Sequence, residues 1–282
     1  MRTVLSPSRL EEVFPLLESH PEALLMSGGT DLLVRLRADA GADHRPLVLL
    51  ANVAELQGIM DTGGEISIGA ATTMKSLMAD PLVACHAPLL VQAARTVGGP
   101  AIRNMATIGG NISTASPAGD TLPPLHVLGA EVELASRQGM RRAPIGEFVA
   151  GPGRTRLHGR EVITRIFVPY GGSFPFQSFV KVGLRRSLAV AVTSFAGMAR
   201  LSADGLVVEA RFAWGSVGPT VVRLPGLEAE LAGARLDRDV VRKAAGIVRG
   251  SVSPIDDIRA SADYRRAVAG NLLAGFLGGI HA

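Results

Sequence analysis

Apolar residues along the chain recur with two periods, and the switch between them outlines the fold. Leu10, Val13, Phe14 and Leu17 in "SPSRLEEVFPLLESH" keep helical spacing. The stretch therefore reads as a capped helix, with Pro7 near its first turn and Pro15 weakening its second half. "ALLMSGGT" is a short apolar strand ending in a glycine turn. "DLLVRLRADA" reads as a helix with Asp31 in its first turn and an Asp31–Arg35 pair at i,i+4 spacing. "PLVLLANV" is apolar on both faces, the pattern of a buried strand. "EISIGAATTM" alternates as a strand before "TMKSLMADPLV" and "PLLVQAARTVG" return to helical spacing.

The pattern breaks at "TIGGNISTASPAGD", residues 107 to 120, whose second half has no apolar periodicity and reads as an irregular loop. "PPLHVLGAEVELAS" and "GMRRAPIGEFV" follow as helix, strand and turn. "REVITRIFVPY" is a strand closed by Pro169, and "GGSFP" at 171 to 175 is the clearest linker. Beyond it, "FQSFVKVGL", "AVTSFAGMARL" and "LVVEARFAWGSVG" read as antiparallel strands, the last two joined by an Asp204–Gly205 turn. Helices close the chain in "LEAELAG", "DRDVVRKAAGIVRGSV" and "ADYRRAVAGNLLAGFLGGI". Strands followed by helices predict an α+β second domain with its helices on one face of a small sheet. A chain of 282 residues accommodates two such units, 1–172 and 176–282.

Composition narrows the function. Nearly half the residues are apolar, so the chain folds around a core. "SLAVAVTSFAGMARL" is too short and too rich in Ser and Thr to span a bilayer. The N-terminus is polar where a signal peptide has its apolar block, which points to the cytoplasm. The net charge of +4 rests mainly on scattered arginines, while aromatics make up only 4% of residues. Stacking platforms for nucleic acid are therefore scarce, and a polyanionic small ligand or an acidic protein partner fits better. The single cysteine, Cys85, rules out an iron–sulfur cluster, a Cys-based zinc site or a disulfide held by this chain alone. It reads as a buried small hydrophobe in "PLVACHAPLL". Six histidines form no metal-ligand spacing, so no metal site is expected.

Two segments of the form Gly-Gly-polar remain, "LMSGGTD" and "TIGGNIS". Glycine lets backbone N–H groups approach a ligand and form an anion-binding concavity without lysine. "SGGT" opens directly into a helix, whose N-terminal dipole adds positive potential. Thr30, Thr107, Ser113 and Thr114 offer hydroxyl donors, and Asn111 offers a partner for a ribose or a base edge. A diphosphate held between the segments is one reading; two ordinary tight turns is the other. Asp120 is a poor neighbour for phosphate and is expected to face a sugar hydroxyl or a backbone N–H. No GxxxxGK[ST] occurs, "GPGRTR" carries Arg156 where a dinucleotide fingerprint has its third glycine, and "WGSVG" lacks the first glycine of a nucleophile elbow.

"SGGTDLL", "LVLLANVAELQGI", "ISIGAATTM", "IRNMATIGGNISTASPAGDTLPPL" and "PIDDIRASADYRR" together resemble the FAD-binding medium subunit of the molybdenum hydroxylases, the xanthine dehydrogenase and carbon monoxide dehydrogenase family. The resemblance covers nearly the whole chain. It implies an α+β protein: a PCMH-type, vanillyl-alcohol-oxidase-like FAD domain of two subdomains, about 1–55 and 56–172, and a smaller C-terminal α+β domain with an antiparallel sheet. Carried over residue by residue, Met26, Ser27, Gly28, Gly29 and Thr30 hold the FAD diphosphate. Thr107, Gly110, Asn111 and Thr114 complete the cradle, and Asp120 meets a sugar hydroxyl. Ile163 packs near the adenine or flavin rings, and Lys181 stabilises negative charge on reduced flavin. Val97 falls where some members of the family place an aromatic beside the flavin. The family binds FAD non-covalently and relays electrons from [2Fe–2S] clusters on a small subunit, fed by a molybdenum centre on a large one, to NAD, a quinone or oxygen. A dimer of heterotrimers is the implied assembly. A stand-alone flavin oxidase of the same fold and a flavin-less assembly scaffold are the alternatives.

Overall fold

The computed structural model describes residues 2–38, 43–170, 172–185 and 187–280. The end of the "DLLVRLRADA" helix and Gly171 of the linker lie outside them. The first strands, β1 (Val4–Leu5), β2 (Leu24–Met26) and β3 (Leu47–Leu49), form a parallel sheet in the order β1-β3-β2. Parallel neighbours need crossover connections; α1 (Leu10–Ser19) joins β1 to β2, and α2 (Leu32–Ala38) follows β2. Val13 and Leu17 of α1 share a core with Val48, Leu50 and Val53. Pro15 lies on the exposed face of α1 and the helix runs past it.

A five-stranded antiparallel sheet follows. It contains β4 (Ile59–Asp61), β5 (Glu65–Gly69), β6 (Glu131–Ser136), β7 (Gly139–Pro144) and β10 (Val162–Pro169), ordered β4-β5-β10-β6-β7. Between β5 and β6 the chain makes six short helices: α3 (Met74–Ala79), α4 (Pro81–His86), α5 (Pro88–Thr96), α6 (Pro100–Met105), α7 (Ile108–Thr114) and α8 (Leu122–Val127). Asp80 divides the helical stretch "TMKSLMADPLV", because its carboxylate accepts the Leu82 and Val83 N–H groups and caps α4 at Pro81. After β7 come α9 (Ile145–Phe148) and a small hairpin of β8 (Val149–Gly151) and β9 (Arg154–Thr155).

Three sequence expectations about residues 85–148 are corrected. "GMRRAPIGEFV" is not a turn but the edge strand β7 and the helix α9. The strand was hidden because two adjacent arginines at its centre break any apolar alternation: Arg141 pairs with Glu161 and Arg142 with Glu65. The segment 107–120 is not irregular at its start, since residues 108–114 are α7. Tertiary packing overrides the low helix propensity of its glycines, as a Cβ on Gly109 would lie 2.7 Å from the Cβ and carbonyl oxygen of Ala70. Cys85 is exposed rather than buried, because the buried face of α4 falls on Val83.

The C-terminal part is a sheet of β11 (Phe176–Val182), β12 (Thr193–Leu201), β13 (Val207–Gly215) and β14 (Val222–Arg223) in sequential antiparallel order. It is followed by α10 (Pro225–Leu231), α11 (Arg238–Ser251) and α12 (Ala262–Gly279). Phe195, Phe212 and Trp214 pack with Val248 of α11 and Leu273 of α12, and the Trp214 indole N–H donates to the Ala269 carbonyl at 3.1 Å. The opposite face was expected to lack helices. It does not: Ala196, Met198 and Ala213 belong to the core that contains Leu89 and Leu90 of α5 and Leu125 of α8. β12 is apolar on both sides, so both sides must be covered. This shared core brings Lys181 on β11 against the helical layer that carries residues 96–120.

Candidate cofactor site

A cleft of about 590 Å³ lies where the two glycine segments meet the C-terminal sheet. Its walls are residues 24–32, the turn at 97–98, parts of α6 and α7, the loop 116–120, Lys181 and residues 188–190. Met26, Ser27, Gly28, Gly29, Thr30, Thr107, Gly110, Asn111, Thr114, Asp120 and Lys181 all line it. Ile163 does not; it lines an adjoining apolar cavity of about 310 Å³ that shares Leu24, Leu25, Ser27, Gly110 and Ser113 with the cleft. Ile102, Arg35 and residues 188–190 complete the walls and were not anticipated. Arg35 was read only as Asp31's partner, which it is at 2.8 Å.

Backbone contacts hold the segments together. Gly28 is fixed by a close approach: a Cβ there would sit 1.8 Å from the Met105 carbonyl oxygen. Gly29 adopts φ +69°, in the left-handed region open to glycine. From the other side, the Met74 N–H donates to the Ala106 carbonyl at 2.9 Å and the Ile108 N–H to the Thr72 carbonyl at 3.0 Å. Arg103 donates to the Val97 and Gly98 carbonyls at 3.1 and 2.9 Å and so shapes the turn at the rim.

As donors the two segments differ. Among the described residues, the N–H groups of Gly28, Gly29 and Thr30 have no hydrogen-bond partner. At the start of α7 every N–H is used: Ile108 to Thr72, Gly109 to Ala70, Gly110 to the Thr107 hydroxyl and Asn111 to the Thr107 carbonyl. The expectation of free backbone donors therefore fits the first segment and not the second, whose Thr107 caps its own helix. Ser113 and Thr114 give their hydroxyl protons to the Gly110 carbonyl at 3.1 and 2.9 Å, so they present lone pairs rather than donors. Asn111 Oδ1 accepts from the Thr121 hydroxyl at 2.6 Å, which leaves its amide NH₂ as the donor.

Asp120 and Lys181 form an ion pair, Nζ to Oδ2 at 2.5 Å, with side chains 7% and 10% exposed. Lys181 Nζ also donates to the Thr96 carbonyl at 3.0 Å. Asp120 Oδ2 thus faces an ammonium, a partner not anticipated for it, while among the described residues Oδ1 is buried with no hydrogen-bond partner. Burial raises the Asp120 carboxyl above its ordinary range, and the attraction of Lys181 only partly offsets this. Ser27 Oγ, in the first glycine segment, is likewise buried and without a partner among the described residues. Among the described residues no group of three or more His, Cys, Asp or Glu side chains is placed to hold a metal ion, and no helix is long and apolar enough to cross a membrane.

A cleft lined by unspent backbone donors suits an anionic cofactor, and the comparisons name the class of protein. Residues 1–171 match the family model "FAD binding domain in molybdopterin dehydrogenase", and residues 178–280 match "CO dehydrogenase flavoprotein C-terminal domain". The xanthine dehydrogenase FAD-binding subunit of Escherichia coli O157:H7 is 33% identical over 258 residues, 91% of this chain and 88% of that one. The solved carbon monoxide dehydrogenase of Hydrogenophaga pseudoflava contains a chain with a TM-score of 0.93 at 30% identity, covering 99% of this chain and 97% of that one. Quinoline 2-oxidoreductase from Pseudomonas putida 86 gives 0.93 at 28% identity, covering 99% and 96%. The chain belongs to the FAD-binding medium subunits of the xanthine and carbon monoxide dehydrogenase family, the flavoprotein components of multi-subunit molybdenum hydroxylases.

Proposed function

We propose that this chain binds one FAD non-covalently in the cleft and passes electrons from partner-subunit [2Fe–2S] clusters to an external acceptor, NAD, a quinone or oxygen. One observation carries the reading. The free N–H groups of residues 28–30, the orphaned Ser27 hydroxyl and the orphaned Asp120 Oδ1 line one cleft. Buried polar atoms in folded proteins are nearly always paired, and here two unpaired ones line the same cleft as three unspent backbone donors, an arrangement that a polar ligand would satisfy. The donors on the first segment suit a diphosphate, and the unpaired carboxylate oxygen suits a sugar or ribityl hydroxyl.

In this assignment Met26 to Thr30 bind the diphosphate, with the Thr107 hydroxyl and Asn111 NH₂ as side-chain donors. Gly110 lies on the cleft wall, where a Cβ would come within 2.9 Å of Thr107 Oγ1, the cap of α7, and Thr114 offers an acceptor. Ile163, in the adjoining apolar cavity, packs against a ring of the cofactor. Lys181 favours negative charge on the reduced cofactor, and Asp120 holds the ammonium in place and tempers its charge. Bound FAD supplies the exchange between one-electron donors and a two-electron acceptor. Clusters belong on another chain because this one has a single cysteine. We place the subunit in the cytoplasm, in a dimer of heterotrimers with a small iron–sulfur and a large molybdenum subunit.

The test is activity of the FAD-loaded chain alone. It should oxidise no purine, N-heterocycle, aldehyde or carbon monoxide, yet accept electrons from a reduced iron–sulfur partner subunit. Substrate turnover by the pure chain would show a self-sufficient oxidase and end the relay reading.

A further inference from the structure

The segment "PIDDIRASADYRR" lies outside the cleft and the site assignment leaves it unexplained. It contains a buried arginine, Arg265, on the first turn of α12 and 2% exposed. Burying a guanidinium is costly unless it is paired and hydrogen-bonded, so its partners indicate what it is for. Nη2 binds Asp257 Oδ1 at 2.7 Å, while Nη1 donates to the Val192 carbonyl at 2.6 Å and to the Ser216 carbonyl at 3.3 Å. Asp257 is itself held, accepting the Arg259 and Ala260 N–H groups at 2.8 and 3.3 Å.

Both carbonyls lead to the cleft. Ser216, at φ +63°, donates its N–H to the Pro117 carbonyl at 2.8 Å and its hydroxyl to the Ala191 carbonyl at 3.1 Å. Pro117 lies within the cleft loop that ends at Asp120, and Ala191 adjoins the cleft residues 188–190. The Val192 N–H donates to the Val182 carbonyl at 2.8 Å, and the next pairs in the ladder are Val182–Thr193 and Lys181–Ser194. Arg265 therefore pins the backbone just behind both members of the Lys181–Asp120 pair. A left-handed conformation at a non-glycine residue persists only where its surroundings enforce it.

We propose that Arg265, oriented by Asp257, is a positioning residue for the cofactor cleft. It acts through Val192, Ser216 and Pro117 to set Lys181 and Asp120, and touches no cofactor itself. The inference rests on the reading that the cleft binds FAD.

The experiment uses the full chain and titrates the deflavinated protein with FAD, alongside thermal unfolding without FAD, for wild type, Arg265→Lys and Asp257→Asn. Lysine keeps the charge but cannot reach two carbonyls and a carboxylate as a planar fork does. Arg265→Lys leaves buried acceptors unpaired and should lower apo-protein stability, but the FAD Kd of its folded fraction should also rise roughly tenfold, because small misplacements of a binding group are costly. Asp257→Asn should weaken FAD in the same sense but less, and it decides the question if Arg265→Lys does not fold. A merely structural arginine would lower apo-protein stability and leave the Kd of the folded fraction unchanged. That result, in either folded variant, overturns the inference. A wild-type chain that takes up no FAD overturns the cleft reading, and the inference with it.

Discussion

The Lys181–Asp120 pair gives the most quantitative prediction. With side chains 10% and 7% exposed, it is a buried ion pair, and removing one partner strands the other charge. Lys181→Met leaves a carboxylate whose Oδ1 already lacks a partner, and should cost about 3 kcal/mol at neutral pH. Asp120→Asn strands the ammonium with only the Thr96 carbonyl, and should cost a similar amount. Replacing both, as Lys181→Met with Asp120→Leu, should recover most of the loss, because a buried pair is worth little against apolar packing of similar volume. The two single variants should differ in their pH dependence. The folded-state pKa of Asp120 is raised above its ordinary 3.8, so the stability associated with that group is fully present below the unfolded value and lost as pH rises through the folded value. Without Lys181 the carboxyl is raised further, and the deficit of Lys181→Met relative to wild type should shrink as pH falls from neutral. The Asp120→Asn deficit should not, because that variant has no carboxyl left to protonate. Urea unfolding of the full chain over that pH range measures both. Single variants within about 0.5 kcal/mol of wild type at neutral pH, the range of ordinary surface substitutions, would refute the reasoning.

Further predictions concern the cleft walls. Gly28→Ala places a methyl 1.8 Å from the Met105 carbonyl oxygen; the segments must separate, and calorimetry should show a loss of at least about 1–3 kcal/mol, the usual cost of overpacking. Gly110→Glu instead projects bulk and negative charge into the cleft, and should abolish FAD content with circular dichroism unchanged; full flavin content would remove Gly110 from the site. Thr107→Ala deletes the cap on α7, where Thr107 Oγ1 accepts the Gly110 N–H at 3.2 Å. It should cost about 1 kcal/mol in denaturant unfolding, and it tests whether that N–H is spent on the helix.

Legibility followed how local the information was. The "SGGT" turn, the Asp31–Arg35 pair and the sequential C-terminal hairpins were readable because each rests on residues a few positions apart. β7 was not, since an edge strand carrying Arg141 and Arg142 shows no apolar alternation. The helix α7 was hidden because its reason for folding, Gly109 seated on Ala70, lies about forty residues away in sequence. The Lys181–Asp120 contact was equally invisible: each residue was placed at the site singly, and only the second covered face of β12 brings them together. Residues 188–190 gave no chemical signal, being apolar wall with no distinctive side chain.

The most direct test of the central claim is the visible spectrum of the purified full chain, with the acid-released cofactor identified. The account predicts a yellow protein that releases intact FAD without any covalent remnant. A colourless chain that cannot be loaded with FAD would contradict it and leave the "SGGT" turn and α7 as purely structural parts of an assembly scaffold.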